Sequence, residues 1–143
     1  LILFGAGLAI AKGFSTTDLT GWLGGLFTHL GFLPVGIIML LVFFSINFLT
    51  EISSNTATAS IMLPLLVTLA QSLKFDAMPL LAGAAISASC AFMLPVATPP
   101  NAIVFSSEQV TIKQMARTGF VANIVSVLLT FLFVKYLWGF IFG

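Results

Sequence analysis

The sequence predicts an all-α membrane protein, on three observations. Of its 143 residues, 59% are hydrophobic and only 6% are charged, whereas a soluble domain carries about a quarter charged. The charges stand in small groups (Lys12 and Asp18, Glu51, Lys74 and Asp76, Glu108 to Arg117, Lys135) that divide the chain into long apolar stretches. Each stretch approaches the ~20 residues that carry a helix across ~30 Å of hydrocarbon. The last one has basic and aromatic residues at its ends, where a spanning helix is anchored.

The mean hydropathy of +1.19 describes a surface that lipid accepts and water does not. A net charge of +1 offers no basic field for nucleic acid and no acidic tail for a basic partner. Cys90 is the single cysteine, which excludes an internal disulfide or a cysteine-based zinc site and marks it as a small packing residue.

Residues 1–14 read as the end of a transmembrane helix. The chain opens at Leu1 without a methionine or a signal-peptide pattern, so a fragment preceded by more membrane protein is expected. Over residues 16–30, Leu19, Trp22, Leu23, Leu26, Phe27 and Leu30 recur at helical spacing behind a cap at Thr17 or Asp18. Two placements fit this helix: in the membrane interface with Trp22 at headgroup level, or buried in a larger bundle.

From 33 to 73 the chain is apolar except for a polar knot at Thr50-Glu51-Ile52-Ser53-Ser54-Asn55-Thr56. One straight helix of that length would measure ~60 Å, twice what a bilayer needs, so the stretch folds back. The turn, at 50–56, carries hydroxyls, an amide and a carboxylate in place of Gly, Pro and Lys. That composition favours a re-entrant hairpin with its tip inside protein over two spans joined by a loop in water.

Residues 79–106 hold Pro79, Pro95, Pro99 and Pro100. A helix from about 79 to 93, with Gly83, Ser87 and Ala91 as a small-residue stripe for close packing, should break near 94–100 and resume at Pro100 or Asn101. Residues 112–141 form the C-terminal transmembrane helix. Lys113 and Arg117 near its start put the preceding connection on the cytoplasmic side.

Two breaks at membrane depth imply a polar cavity, because unpaired backbone there costs several kcal/mol per group. The side chain of Ser54 can cap the helix that follows, with the amides of Asn55, Thr56 and Ala57 pointing outward. A second helix N-terminus near Pro100 joins it, and two positive dipole ends favour an anion. Carbonyls near Leu49, Thr50 and Ser53, and from Met93 to Ala97, suit a small hard cation such as sodium.

The stretch Leu49-Thr50-Glu51-Ile52-Ser53-Ser54-Asn55-Thr56-Ala57-Thr58 contains a Ser-Asn-Thr motif. It resembles the motif of the divalent-anion sodium symporter family, which includes the bacterial dicarboxylate transporters nicknamed INDY. The stretch from Ser89 through Leu94-Pro95-Val96-Ala97-Thr98-Pro99-Pro100-Asn101 to Val104 is similar to the sodium:sulfate symporter signature of that family.

The resemblance covers essentially the whole chain and implies the second inverted repeat, the C-terminal half, of a homodimeric elevator-type transporter in a bacterial plasma membrane. By motif, Ser54, Asn55, Thr56, Thr98 and Pro99 would contact the substrate, and Thr50, Ser53, Asn55 and Ala97 would bind sodium. Pro100 and Asn101 would support the break. The implied substrate is a C4-dicarboxylate (succinate, malate or fumarate) moved with Na+ as coupling ion and no organic cofactor; the absent N-terminal half would supply the other site. Sulfate or citrate symport and sodium-independent dicarboxylate exchange are rivals within the family, and an ion channel is the rival from another class.

No Ser-His-Asp or Ser-Lys constellation and no phosphate loop is present in the sequence, so an enzyme is not expected. His29 has no acidic or histidine partner nearby in sequence, and Lys12, Lys74 and Lys135 read as interface anchors. Glu51 invites a proton-coupling role as an intramembrane acid, but a hydrogen-bonded structural role is the reading its neighbours favour.

Overall fold

The structure is a computed structural model that describes residues 31–138 together with positions 9, 12, 13, 16, 17, 22 and 25. The expected helix end at 1–14 and the expected interfacial helix at 16–30 fall almost wholly outside the described residues, as do residues 139–141. Thr17, one of two expected caps, instead bonds back to the Gly13 carbonyl through both its N–H and its hydroxyl.

Among the described residues the elements are α1 (Val35–Leu49), α2 (Asn55–Ser72), α3 (Ala77–Ser89), α4 (Pro99–Ser106) and α5 (Ile112–Leu132). A π-helical turn, Phe133–Leu137, extends α5. The combined helix Ile112–Leu137, 26 residues, is the one helix among the described residues long and apolar enough to cross a membrane.

Pro34 opens α1 with its ring fixing the extended-to-helical step, and Thr50 closes it. There the pattern tightens, with the N–H of Glu51 bonding Phe48 O and that of Ile52 bonding Leu49 O, the i to i−3 bonding that ends many helices. The α2 helix ends with Lys74 at φ 57°. The Phe75 N–H returns to the Ala70 carbonyl at 3.1 Å, so a lysine fills the left-handed position glycine usually takes.

Asp76 starts α3 two residues ahead of Pro79 by accepting from Met78 N at 3.0 Å. That cap is why the helix begins at Ala77 instead of 79. A full capping box, Thr111 with Gln114, starts α5, satisfying two end donors reciprocally.

α3 is the central helix: α2 packs along it, α1 packs on α3 and α5, and α1 and α2 scarcely touch each other. Gly83 makes the α1 contact possible, because a Cβ there would lie 2.1 Å from Cζ of the fully buried Phe43 ring. Phe43, Ile46, Leu69, Ala70, Leu80, Ala84 and Ala88 form the core around this crossing. Ser87 and Ala91 are buried as well, although Ala91 already lies past the end of α3.

α3 ends at Ser89, four residues short of the expected 93, and irregular backbone runs from Cys90 to Thr98. The backbone donors of residues 92–94 are taken by a side-chain carboxylate instead of by helical carbonyls. α4 then starts at Pro99, with Thr98 as its cap.

Candidate functional site

The turn between α1 and α2 and the irregular segment between α3 and α4 face each other across an open cleft of about 970 Å³. Ser53, Ser54, Asn55 and Thr56 line it from one side, and Ala97, Thr98, Pro99, Pro100 and Asn101 from the other. Ile52, Ser89, Phe92 and Val96 complete much of the wall. Of the residues expected at the site, Thr50 alone stands behind the wall: it is fully buried and its hydroxyl reaches Asn55 Oδ1 at 2.6 Å and the Ala88 carbonyl at 3.0 Å.

The first helix end opening on the cleft is that of α2. Ser54 sits at its N-cap with extended backbone but makes no side-chain cap bond, unlike the expectation for it. Beside it, Ser53 donates to Leu49 O at 3.0 Å and pairs with the Thr58 hydroxyl. The first-turn N–H groups of α2 are thus uncapped by any side chain, and such groups at a helix N-terminus attract negative charge.

The second helix end is chemically different. Pro99 and Pro100 have no N–H, and Asn101 N bonds the Thr98 hydroxyl oxygen at 3.4 Å. The expected pair of equivalent N–H-bearing ends is therefore one such end plus one hydroxyl: Thr98 accepts from the helix and keeps its own proton to donate. Asn101, buried, ties the segment together by donating from Nδ2 to the carbonyls of Ala91 and Leu94 at 2.9 and 3.0 Å.

The carbonyls expected to be free for a cation are partly occupied. Leu49 O accepts from Ser53 and Ile52, and Leu94 O from Asn101 and Ala97. Ser53, Asn55 and Ala97 line the cleft with Thr50 directly behind Asn55, and neutral oxygens of this kind suit a hard cation. Among the described residues no cluster of three or more His, Cys, Asp or Glu exists, so the site lacks the ligands of a transition-metal centre.

Behind the cleft lies the feature that joins its two halves. The Glu51 carboxylate, 3% exposed, accepts at Oε1 from Phe92 N at 2.7 Å, Met93 N at 2.9 Å and Asn123 Nδ2 at 2.6 Å. Its Oε2 accepts from Leu94 N at 3.0 Å. All four partners are N–H donors, so the buried carboxylate is satisfied as an acceptor and the stripped backbone of the break is satisfied with it. This hydrogen-bonded arrangement is the structural role favoured for Glu51.

Asn123 was not singled out in the sequence, because one asparagine in an apolar helix gives no sign of its partner 72 residues away. Gly119, one turn earlier, was likewise missed. A Cβ there would sit 2.2 Å from the Phe92 carbonyl oxygen and 2.6 Å from Met93 Cα, so glycine is what lets α5 approach the break. Asn47 is a third: fully buried, it donates from Nδ2 to the Cys90 carbonyl just past the end of α3.

Helices broken at two facing points, with uncapped donors and neutral oxygens at a common cleft, form the kind of site that membrane solute carriers use. The chain belongs to the sodium:sulfate symporter transmembrane region family, whose model matches residues 1–143.

Among curated relatives, the sodium-dependent dicarboxylate transporter SdcS of Staphylococcus saprophyticus is 47% identical over 138 residues, 96% of this chain and 26% of that protein. The SdcS proteins of Staphylococcus aureus strains MRSA252 and COL are each 47% identical over 143 residues, 100% of this chain and 28% of theirs. The chain thus spans about a quarter of the length of these relatives, a smaller share than the half implied by the resemblance. It belongs to a family of transporters and not of enzymes.

Proposed function

We propose that this chain is the C-terminal part, the second inverted repeat, of a sodium-coupled symporter for a C4-dicarboxylate such as succinate, malate or fumarate. It would work as an elevator-type homodimer in a bacterial plasma membrane together with the first repeat. In this reading α1 and α2 are the arms of a re-entrant hairpin, α3 and α4 are one broken transmembrane helix, and α5 is the closing span. The observation that carries the reading is the single cleft lined by both Ser54-Asn55-Thr56 and Thr98-Pro99.

The geometry supports a division of work. One substrate carboxylate lies at the uncapped first turn of α2, among Ser54, Asn55 and Thr56, and accepts from the Thr98 hydroxyl opposite, with Pro99 beside it. Sodium takes Thr50, Ser53, Asn55 and the Ala97 carbonyl. Because the Thr50 hydroxyl already meets Asn55 Oδ1, an ion held there fixes the Asn55 amide and leaves its Nδ2 for the anion. Sodium then raises affinity for the anion by ordering groups that the anion uses, which is differential contact and therefore coupling. No bond of the substrate is made or broken.

The name of the SdcS relatives supports a dicarboxylate over sulfate or citrate. Counterflow of radiolabelled succinate into proteoliposomes of the full-length transporter, with and without sodium, tests the proposal. Sodium-dependent counterflow is expected. Counterflow indifferent to sodium would point to exchange, and flux without counterflow to a channel; either would overturn the symport reading.

A further inference from the structure

We infer that Asn123 is a positioning residue for the cleft, which holds the hairpin tip and the helix break in register by clasping Glu51 and the Phe92 backbone together. The inference rests on the reading of the cleft as a transport site. Asn123 lies on α5, is fully buried and does not line the cleft, so it acts through its partners and not on a solute.

Its amide is used at both ends. Nδ2 donates to Glu51 Oε1 at 2.6 Å while Oδ1 accepts from Phe92 N at 3.2 Å. Glu51 comes from the tip and Phe92 from the break, so a single side chain of α5 bonds both halves of the site. An amide can donate to a carboxylate and accept from an N–H at the same time; a carboxylate of the same shape can do so only when protonated, and an apolar side chain can do neither.

The surroundings make this a built seat and not a chance contact. Met115, Gly119, Asn123, Val127 and Thr130 form the buried face of α5, and Gly119 brings that face against the backbone of Phe92 and Met93. The ionisable side chains near the break are Glu51 and the Cys90 thiol. Lys113 and Arg117 on α5 are exposed. No other charge among the described residues is bonded to the Glu51 carboxylate, so the donor from Asn123 is the one side-chain contribution to holding it.

The test uses Asn123→Ser in the purified full-length transporter, with succinate binding measured in sodium. Asn123 bridges Glu51 Oε1 and Phe92 N with bonds of 2.6 and 3.2 Å, and a serine hydroxyl is too short to span both, so the clasp is opened while a polar group stays in the seat.

Relative to wild type, the variant's Kd for succinate should be at least ~10-fold weaker, with the number of sites unchanged. A role confined to filling the fold predicts the opposite split, with fewer binding sites at unaltered Kd, and that result would overturn the inference.

If the serine variant does not fold, Asn123→Thr replaces it, with a Kd loss of the same size expected and an unaltered Kd again overturning the inference. Hydrogen exchange over residues 90–98 reads the clasp without any solute. It should quicken in the variant by ~10-fold over wild type, and equal rates would overturn the inference. Wild type that binds no succinate in sodium, beside exchange that quickens as described, would mean that the reading of the cleft had failed while the clasp stood.

Discussion

Replacing Glu51 by glutamine probes the joint on which both halves of the cleft depend. Glutamine preserves the shape but not the bonding. With its oxygen at the Oε1 position it retains Phe92 N, Met93 N and Asn123 Nδ2 as donors, now to a neutral acceptor; its NH2 then points at the Leu94 N–H, donor against donor. A hydrogen bond to a charged group is worth ~1.5–3 kcal/mol against ~0.5–1.5 for a neutral one, and a stranded buried donor costs ~1–3 kcal/mol.

Three weakened bonds and one stranded N–H therefore lose about 4–7 kcal/mol before any offset. Glutamine also avoids the several kcal/mol that burying a charge costs, which leaves a net loss of about 2–3 kcal/mol. The assay is denaturant unfolding of the purified full-length transporter, paired with sodium-driven succinate uptake. The expected result is a destabilised variant whose uptake falls at every pH. Unchanged stability, with loss only of the pH dependence of uptake, would refute the structural account and restore a proton-coupling role to Glu51.

Other substitutions separate the clasp from the core. Gly119→Ala places a methyl against backbone that cannot rotate away, 2.2 Å from the Phe92 carbonyl oxygen; it should cost at least ~1–3 kcal/mol of stability and lower succinate uptake by about tenfold or more. Wild-type uptake would show that α5 does not seat the break. Ser87→Ala should be neutral or stabilising by up to ~1 kcal/mol in unfolding experiments, because the Ser87 hydroxyl is buried with no hydrogen-bond partner among the described residues; a loss above ~1 kcal/mol would reveal a partner such as an internal water.

Much of this architecture is legible in the sequence because polarity is expensive in an apolar chain. Thr50 to Thr56 and the prolines from Pro95 to Pro100 interrupt stretches with almost nothing else to explain, so the positions of the two breaks can be read directly. Their common cleft could be inferred only from the need to satisfy both.

What a sequence withholds is pairing. The early end of α3 at Ser89 follows from Glu51 capturing the amides of residues 92–94, a tertiary contact across some forty residues, and helix propensity around Ala91 gives no warning of it. The start of α3 at Ala77 was within reach, since Asp76 ahead of a helix is a cap signal, but Pro79 drew the boundary inward. The difference between the two helix ends was also readable in principle: Pro99 and Pro100 carry no N–H, so α4 could never present the donors that α2 does.

Glycines differ in the same way. Gly83 stood out in a small-residue stripe and meets the Phe43 ring. Gly119, alone among larger residues, acquires its meaning only from the backbone that comes to lie against it.

The central claim is that one cleft, with Asn55 between cation and anion, carries both solutes. Sodium-driven succinate uptake by Asn55→Ala in proteoliposomes of the full-length transporter tests it most directly. The account predicts a folded protein, with normal unfolding behaviour, whose uptake has vanished and is not recovered by raising sodium. Uptake at the wild-type rate in that variant would contradict it.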